Sequence, residues 1–245
     1  MKTKHFNFIL QILGWLLLLM LIISPVIVSA KSIYGSGKSV TIRKDIEKFD
    51  GIEISNSFSV RINYSKDYSV TIQIEDNVKE YLVVEKVGGI LKIGLEQGRT
   101  YYNVHPQAVV TLPDIKKLGL SGASTGIING FEFGHDFKLN LSGASKVYGC
   151  IKTGDLNMDL SGASKVNLTG RGKDMIIQAS GSSDITMDKF SVADAYLGLS
   201  GASRCLVNIN GELDVQASGS SKIRYCGSGS LGNIETSGSS KVKRM

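Results

Sequence analysis

Leu141-Ser142-Gly143-Ala144-Ser145-Lys146-Val147 decides the architecture of this 245-residue chain, because the stretch recurs almost unchanged. Ser-Gly-Ala-Ser or Ser-Gly-Ser-Ser begins at Ser121, Ser142, Ser161, Ser180, Ser200, Ser218 and Ser237, at intervals of 21, 19, 19, 20, 18 and 19 residues. A period in this range marks one supersecondary unit stacked on itself, each copy burying a face against its neighbours.

Alignment of the copies on their first serine separates the columns. Three residues earlier stand Leu118, Leu139, Met158, Ile177, Leu197, Val215 and Ile234; one earlier, Leu120, Leu141, Leu160, Ala179, Leu199, Ala217 and Thr236. Five later stand Gly126, Val147, Val166, Ile185, Cys205, Ile223 and Val242. Between the first two lies a polar column: Gly119, Asn140, Asp159, Gln178, Gly198, Gln216 and Glu235. Alternation with period two makes strands buried on one face, and the interval leaves no room for a crossover helix. The expected fold is therefore all-β, a β-solenoid with coils of about 19 residues.

The motif is the expected corner. Gly122, Gly143, Gly162, Gly181, Gly201, Gly219 and Gly238 recur without exception, as a backbone at φ > 0 requires, where any other residue costs roughly 1–2 kcal/mol. The flanking serines are expected to bond to local backbone or to the equivalent serine one coil away. A size trade points to stacking: Leu141 before the motif accompanies Ala144 within it, whereas Ala179 and Thr236 accompany Ser182 and Ser239. Seven equivalent serine clusters exclude a single serine active site.

At the other end of the chain, Lys2, Lys4 and His5 precede an apolar run from Phe6 to Val28, and Val28-Ser29-Ala30 offers small residues for cleavage. Residues 1–30 thus form a secretory signal. The run is long for that role, so an uncleaved anchor is the alternative, and that segment is the one membrane contact expected. No cysteine follows the small residues, which excludes a lipoprotein. Gly35-Ser36-Gly37-Lys38-Ser39 is similar to a phosphate loop but lacks its first glycine and precedes a strand pattern, so nucleotide binding is not expected.

Residues 31–115 are expected to form an N-terminal β-rich cap. Gly51 to Ile62 matches the repeats as a degenerate rung, with Ile54-Ser55 equivalent to Leu141-Ser142. Alternating strands follow at Tyr68 to Glu75 and Leu82 to Leu95, the latter folded at Val87-Gly88-Gly89-Ile90, with one helical turn within Asn77 to Tyr81. The cap covers the open end of the solenoid and its unpaired edges. Residues 116–245 hold the seven repeats, and 31–245 make one domain.

Gly35-Ser36-Gly37, Phe49-Asp50-Gly51-Ile52 and the Ser-Gly-Ala-Ser ladder together resemble the head GIN domain of putative auto-transporter adhesins, a family common in the Bacteroidetes. The resemblance implies a right-handed parallel β-helix, an envelope or surface location, and adhesion. The sequence ends at Val242-Lys243-Arg244-Met245, directly after the seventh copy and without a barrel segment, so self-transport through an outer membrane, which the family name implies, is not expected.

No catalytic residue, metal site or cofactor is expected. Among the cysteines, Cys205 falls in a core column, while Cys150 and Cys226 share a column four coils apart, about 19 Å at ~4.8 Å per coil and beyond disulfide reach. His135, in the bulging segment Gly130 to Asp136, and His105 have no nameable partner. The acids Asp159, Asp184, Asp188 and Asp214 occupy different columns, against the clustered carboxylates that a glycan lyase or hydrolase, the alternative function, would need.

Four residues after the first serine stand Thr125, Lys146, Lys165, Asp184, Arg204, Lys222 and Lys241. Lys146, Lys165, Arg204, Lys222 and Lys241 would form an outward cationic strip, suited to an anionic polysaccharide or lipopolysaccharide. Its alternative is a solvated lysine face that blocks edge pairing. Ile127, Tyr148 and Leu206, with Tyr196, are expected to offer a contact for a cell-surface protein or a second copy of the chain. The net charge of +6, much of it in Lys222, Arg224, Lys241, Lys243 and Arg244, is too modest for a nucleic-acid protein that is also exported.

Overall fold

The computed structural model describes residues 31–245; the secretory signal read over 1–30 lies outside the described residues. Nine strands precede the repeats: β1 (Lys31–Tyr34), β2 (Ser39–Lys44), β3 (Gly51–Ile54), β4 (Ser59–Tyr64), β5 (Ser69–Glu75), β6 (Leu82–Val87), β7 (Ile90–Leu95), β8 (Arg99–Tyr102) and β9 (Gln107–Leu112). A single 3₁₀ turn, Lys79–Tyr81, lies where a helical turn is expected. Each repeat then contributes two strands. These are β10 (Lys117–Leu120) and β11 (Thr125–Glu132), β12 (Phe137–Leu141) and β13 (Lys146–Lys152), β14 (Leu156–Leu160) and β15 (Lys165–Arg171), β16 (Met175–Ala179) and β17 (Asp184–Val192). The last three pairs are β18 (Ala195–Leu199) and β19 (Arg204–Ile209), β20 (Glu212–Ala217) and β21 (Lys222–Cys226), and β22 (Ser230–Thr236) and β23 (Lys241–Arg244).

The coil is two-sided. The first strands of the repeats stack as parallel neighbours in sheet I, ten strands in the order β22-β20-β18-β16-β14-β12-β10-β3-β7-β6. The second strands stack in sheet II, eleven strands in the order β2-β5-β9-β4-β11-β13-β15-β17-β19-β21-β23. The columns flanking the motif are register columns: Leu118 pairs with Leu139, Leu139 with Met158, Gly126 with Val147. Farther from it, the column of Cys150 and Cys226 is interrupted by register shifts on both sides of β17. Inward residues of both sheets fuse into one hydrophobic core, with Leu139, Val147, Val166, Ile177 and Leu197 fully buried. The last coil differs, because no coil lies above it among the described residues. Its column members Ile234 and Val242 are half-buried and Thr236 is exposed.

At the corners the serines divide their labour. In the first six motifs the fourth residue turns inward, and its hydroxyl donates to the carbonyl of the first serine three residues back, whereas Ser240 in the last has no such partner. Ser124, Ser145, Ser164, Ser183, Ser203 and Ser221 are all buried and make this bond at 2.7–3.0 Å. The bond to local backbone is thus the one used, which keeps six buried hydroxyls satisfied without crossing coils. The backbone ladder itself runs through the corner: Ala144 N–H donates to Gly122 O at 2.8 Å and Lys146 N–H to Ser124 O at 2.9 Å. The corner glycines sit at φ of +67° to +76°, as expected. The size trade has another status. Ala144, Ala163 and Ser182 point to solvent rather than against the leucine column, so packing does not produce the trade and nothing in the structure explains it.

Two further coils complete the stack, and here the chain doubles back. β3 and β4 form the expected degenerate rung, pairing in parallel with β10 and β11, and Asn56 at φ +60° stands where the repeats use glycine. Asparagine is the residue that best tolerates this region after glycine. The coil beneath is made by β7 and β9, parallel to β3 and β4 although they follow them in sequence. Antiparallel strands then close the end: β6 on β7, β5 on β9, and β2 on β5. The N-terminal region therefore covers the open end as expected, but Ile90 to Leu112 is itself a solenoid rung rather than cap alone.

Candidate functional site

The five cations converge as the columns require. Thr125, Lys146, Lys165, Asp184, Arg204, Lys222 and Lys241 are successive register partners along sheet II. Neighbouring strands lie about 4.8 Å apart, so the row is a linear array of regularly spaced charge. Lys146, Arg204, Lys222 and Lys241 are exposed; Lys165 is half-buried, with its Nζ 3.7 Å from Asp184 Oδ2. Arg224 and Lys243, register partners in the next outward column, widen the array over the last two coils. Close by, Arg244 stacks its guanidinium over Tyr225 at 5.8 Å and donates to Gly227 O.

The apolar contact does not assemble. Ile127, Tyr148 and Leu206 lie in β11, β13 and β19 of sheet II, whereas Tyr196 lies in β18 of sheet I. Residues on opposite faces cannot make one patch. Tyr196 instead donates its hydroxyl to Gln216 Oε1 at 2.7 Å.

Chemistry based on thiols or imidazole finds little purchase. All three cysteines are free thiols. Complete burial in an apolar column pushes the Cys205 thiol up to about 12, and partial burial raises Cys226, so neither is a ready thiolate. His135 does have a partner, Asp114 Oδ1, 2.7 Å from its Nε2, while Nδ1 lies 2.9 Å from Asp136 O. Its segment is no simple surface loop: Phe131 and Phe137 are buried on either side, and the imidazole stacks on Phe133 at 4.4 Å. Both ring nitrogens face acceptors, so the imidazolium satisfies both and no nitrogen is left for a substrate. Partial burial works against this charge, and Lys116 opposes it weakly, but the Asp136 carbonyl and Asp114 carboxylate outweigh both and raise the histidine above its ordinary value.

A raised histidine contributes stability that is fully present below its unfolded value of about 6.5 and is lost as the pH climbs through the folded value. The melting temperature should therefore fall between pH 5.5 and 8.5 by a few degrees more in the parent than in Asp114→Asn, as a half-exposed pair of at most ~1 kcal/mol predicts. Parallel curves for the two proteins would show that the pair contributes nothing.

One site was not read from the sequence. A groove of about 1220 Å³ runs along the outer face of sheet I, from Val83 and Gln97 at the capped end to Glu235 and Ser237 at the other. Its walls are the polar column (Glu53, Gly119, Asn140, Asp159, Gln178, Gly198, Gln216, Glu235) and the first-serine column. Those residues were legible as an outward polar face, but a solvated face and a concave one share the same alternation. Within it, Glu53 is held by Lys117 at 2.7 Å, and Asp159 by Lys138 at 3.2 Å. Asp159 and Asp214 lie on sheet I, Asp184 and Asp188 on sheet II, so the four acids do not converge. Among the described residues no group of three or more His, Cys, Asp or Glu side chains is placed to hold a metal ion. Among the same residues no helix is long and apolar enough to cross a membrane.

Residues 48–229 match the family model described as "putative auto-transporter adhesin, head GIN domain", and the chain belongs to that family. The fold recurs in solved structures of low sequence identity. A putative lipid binding protein from Parabacteroides distasonis is 20% identical, with 88% of this chain and 100% of that one covered at a TM-score of 0.73. A putative adhesin from Bacteroides fragilis is 17% identical, with 87% and 100% covered at 0.77. A putative adhesin from Parabacteroides merdae is 18% identical, with 88% and 100% covered at 0.67. No match is found among curated proteins.

Proposed function

We propose that this chain is an exported, non-enzymatic binding module of the bacterial cell envelope that engages an anionic polymer, an acidic glycan or lipopolysaccharide, along the cationic column of sheet II. The observation that carries this reading is the register: five cations in seven successive coils, fixed by backbone pairing to one line. A polymer lying along the solenoid axis meets several charges at once, inside a Debye length of about 8 Å. Membership in an adhesin family supports the binding role, and so do the names of the similar structures. Cleavage of a glycan finds less support, because the acids lie in separate columns and His135 has both nitrogens engaged.

Asp184 interrupts the row, which gives the test its form. Asp184→Lys should tighten binding to polygalacturonate at low salt by roughly five- to tenfold, the value of about one favourable charge contact at this spacing. Lys165→Glu should weaken it by at least as much. Asn140→Lys adds one positive charge on the opposite sheet and should change little, and moderate salt should compress all of these differences. Asp184→Lys adds two units of charge and Asn140→Lys one, so a gain in binding free energy from Asn140→Lys about half that from Asp184→Lys would mean that net charge alone matters and the column is a solvated face.

A further inference from the structure

We propose that the groove on sheet I is a second binding site, specific for an uncharged, hydroxyl-rich linear polysaccharide. The groove is poorly suited to three other occupants. Its backbone is already spent in the parallel ladder, with Ser142 N–H on Leu120 O and Ser161 N–H on Leu141 O, both at 3.0 Å, so an extended peptide cannot add as a strand. An acyl chain would touch the edges of Leu120, Leu141 and Leu160 but would also cover carboxylates, amides and hydroxyls along the whole groove, none of which it can pair. An anionic polymer would meet more acids than bases, since Lys92 is the one cation among the described lining residues and already lies 3.9 Å from Glu53.

What remains matches a neutral sugar chain. The amide of Gln178 and the hydroxyls of Ser142, Ser161 and Ser200 each donate and accept, as sugar hydroxyls do, while the amide of Gln216 is held between Tyr196 and Glu235. The serines recur in every coil at a spacing of about 4.8 Å, so a periodic chain keeps the same hydroxyl contacts from coil to coil, while Gln178 and Gln216 stand two coils apart with Gly198 between them. In the groove wall, Asn140 Oδ1 is buried without a hydrogen-bond partner, an unmet demand in a lining side chain. Along the rim, Tyr196 is in register with Ile176, which is 47% exposed, and reaches Gln216 through its hydroxyl. That pair gives the apolar face of a sugar ring something to rest on.

The experiment is native electrophoresis of residues 31–245, which hold every described strand, through gels containing mixed-linkage β-glucan, galactomannan, xyloglucan or mannan. At least one of the four should retard the protein, and moderate salt should leave the retardation intact. Ser161→Trp fills the groove from an exposed position and should abolish the effect; Gln178→Ala should weaken it about tenfold. Lys165→Glu, on the other sheet, should leave it unchanged. Retardation by none of the four polymers overturns the proposal, as does retardation that survives both groove variants in proteins of parental melting temperature. Retardation by polygalacturonate alone, lost in Lys165→Glu, also overturns it while leaving the column of sheet II standing.

Discussion

Gly162→Val should lower stability by about 4 kcal/mol or more, among the largest effects of a single substitution in this chain. Two costs combine. At φ +74° a β-branched side chain is held in the left-handed region, a strain of roughly 1–2 kcal/mol. A Cβ there would also overlap Gly143 O of the coil below, and backbone on backbone cannot relax by turning a rotamer. Gly162 O is in turn the acceptor for Ser182 N–H at 2.8 Å, so any displacement is passed to the coil above. The matched control is Gly37→Val: φ is +75°, but nothing lies within 4 Å of the new Cβ, so only the strain remains. Gly238→Val should fall between them, because it disturbs only the last coil, and stacked repeats fray from their ends. Denaturant midpoints at equal m-values should rank the three as Gly162, Gly238, Gly37. Similar losses at Gly162 and Gly37 would show that conformational strain, and not coil contact, sets the requirement for glycine.

The repeat made most of this fold legible. Once seven copies are aligned, the alternation of Leu139, Asn140 and Leu141 gives the inward and outward faces, and the constant glycine gives the corner. Register follows, because a slip by one residue would turn Asn140 into the core. The cationic column was legible for the same reason: it is a property of spacing alone. Ile90 to Leu112 shows the limit. Leu91, Ile93 and Leu95 alternate as any half-buried strand does, and no Ser-Gly-Ala-Ser joins them to Ala108, Val110 and Leu112. Its connection runs instead through β8, which pairs with β1. Nothing local announces that this rung slides beneath one that precedes it in the chain. Tyr196 was misplaced for a related reason, since a residue's column says that it points outward but not from which sheet. Concavity, finally, has no one-dimensional signature: the alternation that turns Asn140 and Gln178 outward is the same on a flat face and in a groove.

The corner of the first rung should reveal how the stack is closed from below. Phe58 occupies the position held by Ser124, Ser145 and Ser164 in the coils above, as Thr125 N–H on Phe58 O at 2.8 Å and Lys146 N–H on Ser124 O at 2.9 Å show. Ser145 and Ser164 need only the carbonyl three residues back, with serine corners on both sides of each. Phe58 has no such neighbour underneath: after Leu95 the lower coil leaves the pattern and returns only at Pro106, whose carbonyl accepts from Ser59 N–H at 3.0 Å. The ring fills the space that a regular corner would have occupied, and it is 0% exposed. Phe58→Ser, which restores the consensus of the repeats, should therefore destabilise by about 3–5 kcal/mol, the usual range for emptying a buried phenylalanine site. The new hydroxyl can bond to Ser55 O as its counterparts do, but one such bond recovers only about 1 kcal/mol. Ser164→Ala provides the comparison, since it removes that same hydroxyl bond from a regular corner and should cost about 1 kcal/mol, leaving Ser161 O without its donor. Urea denaturation of the two variants beside the parent measures both. A Phe58→Ser protein as stable as the parent would mean that the lower coil closes the corner on its own, and that the aromatic ring is dispensable to the cap.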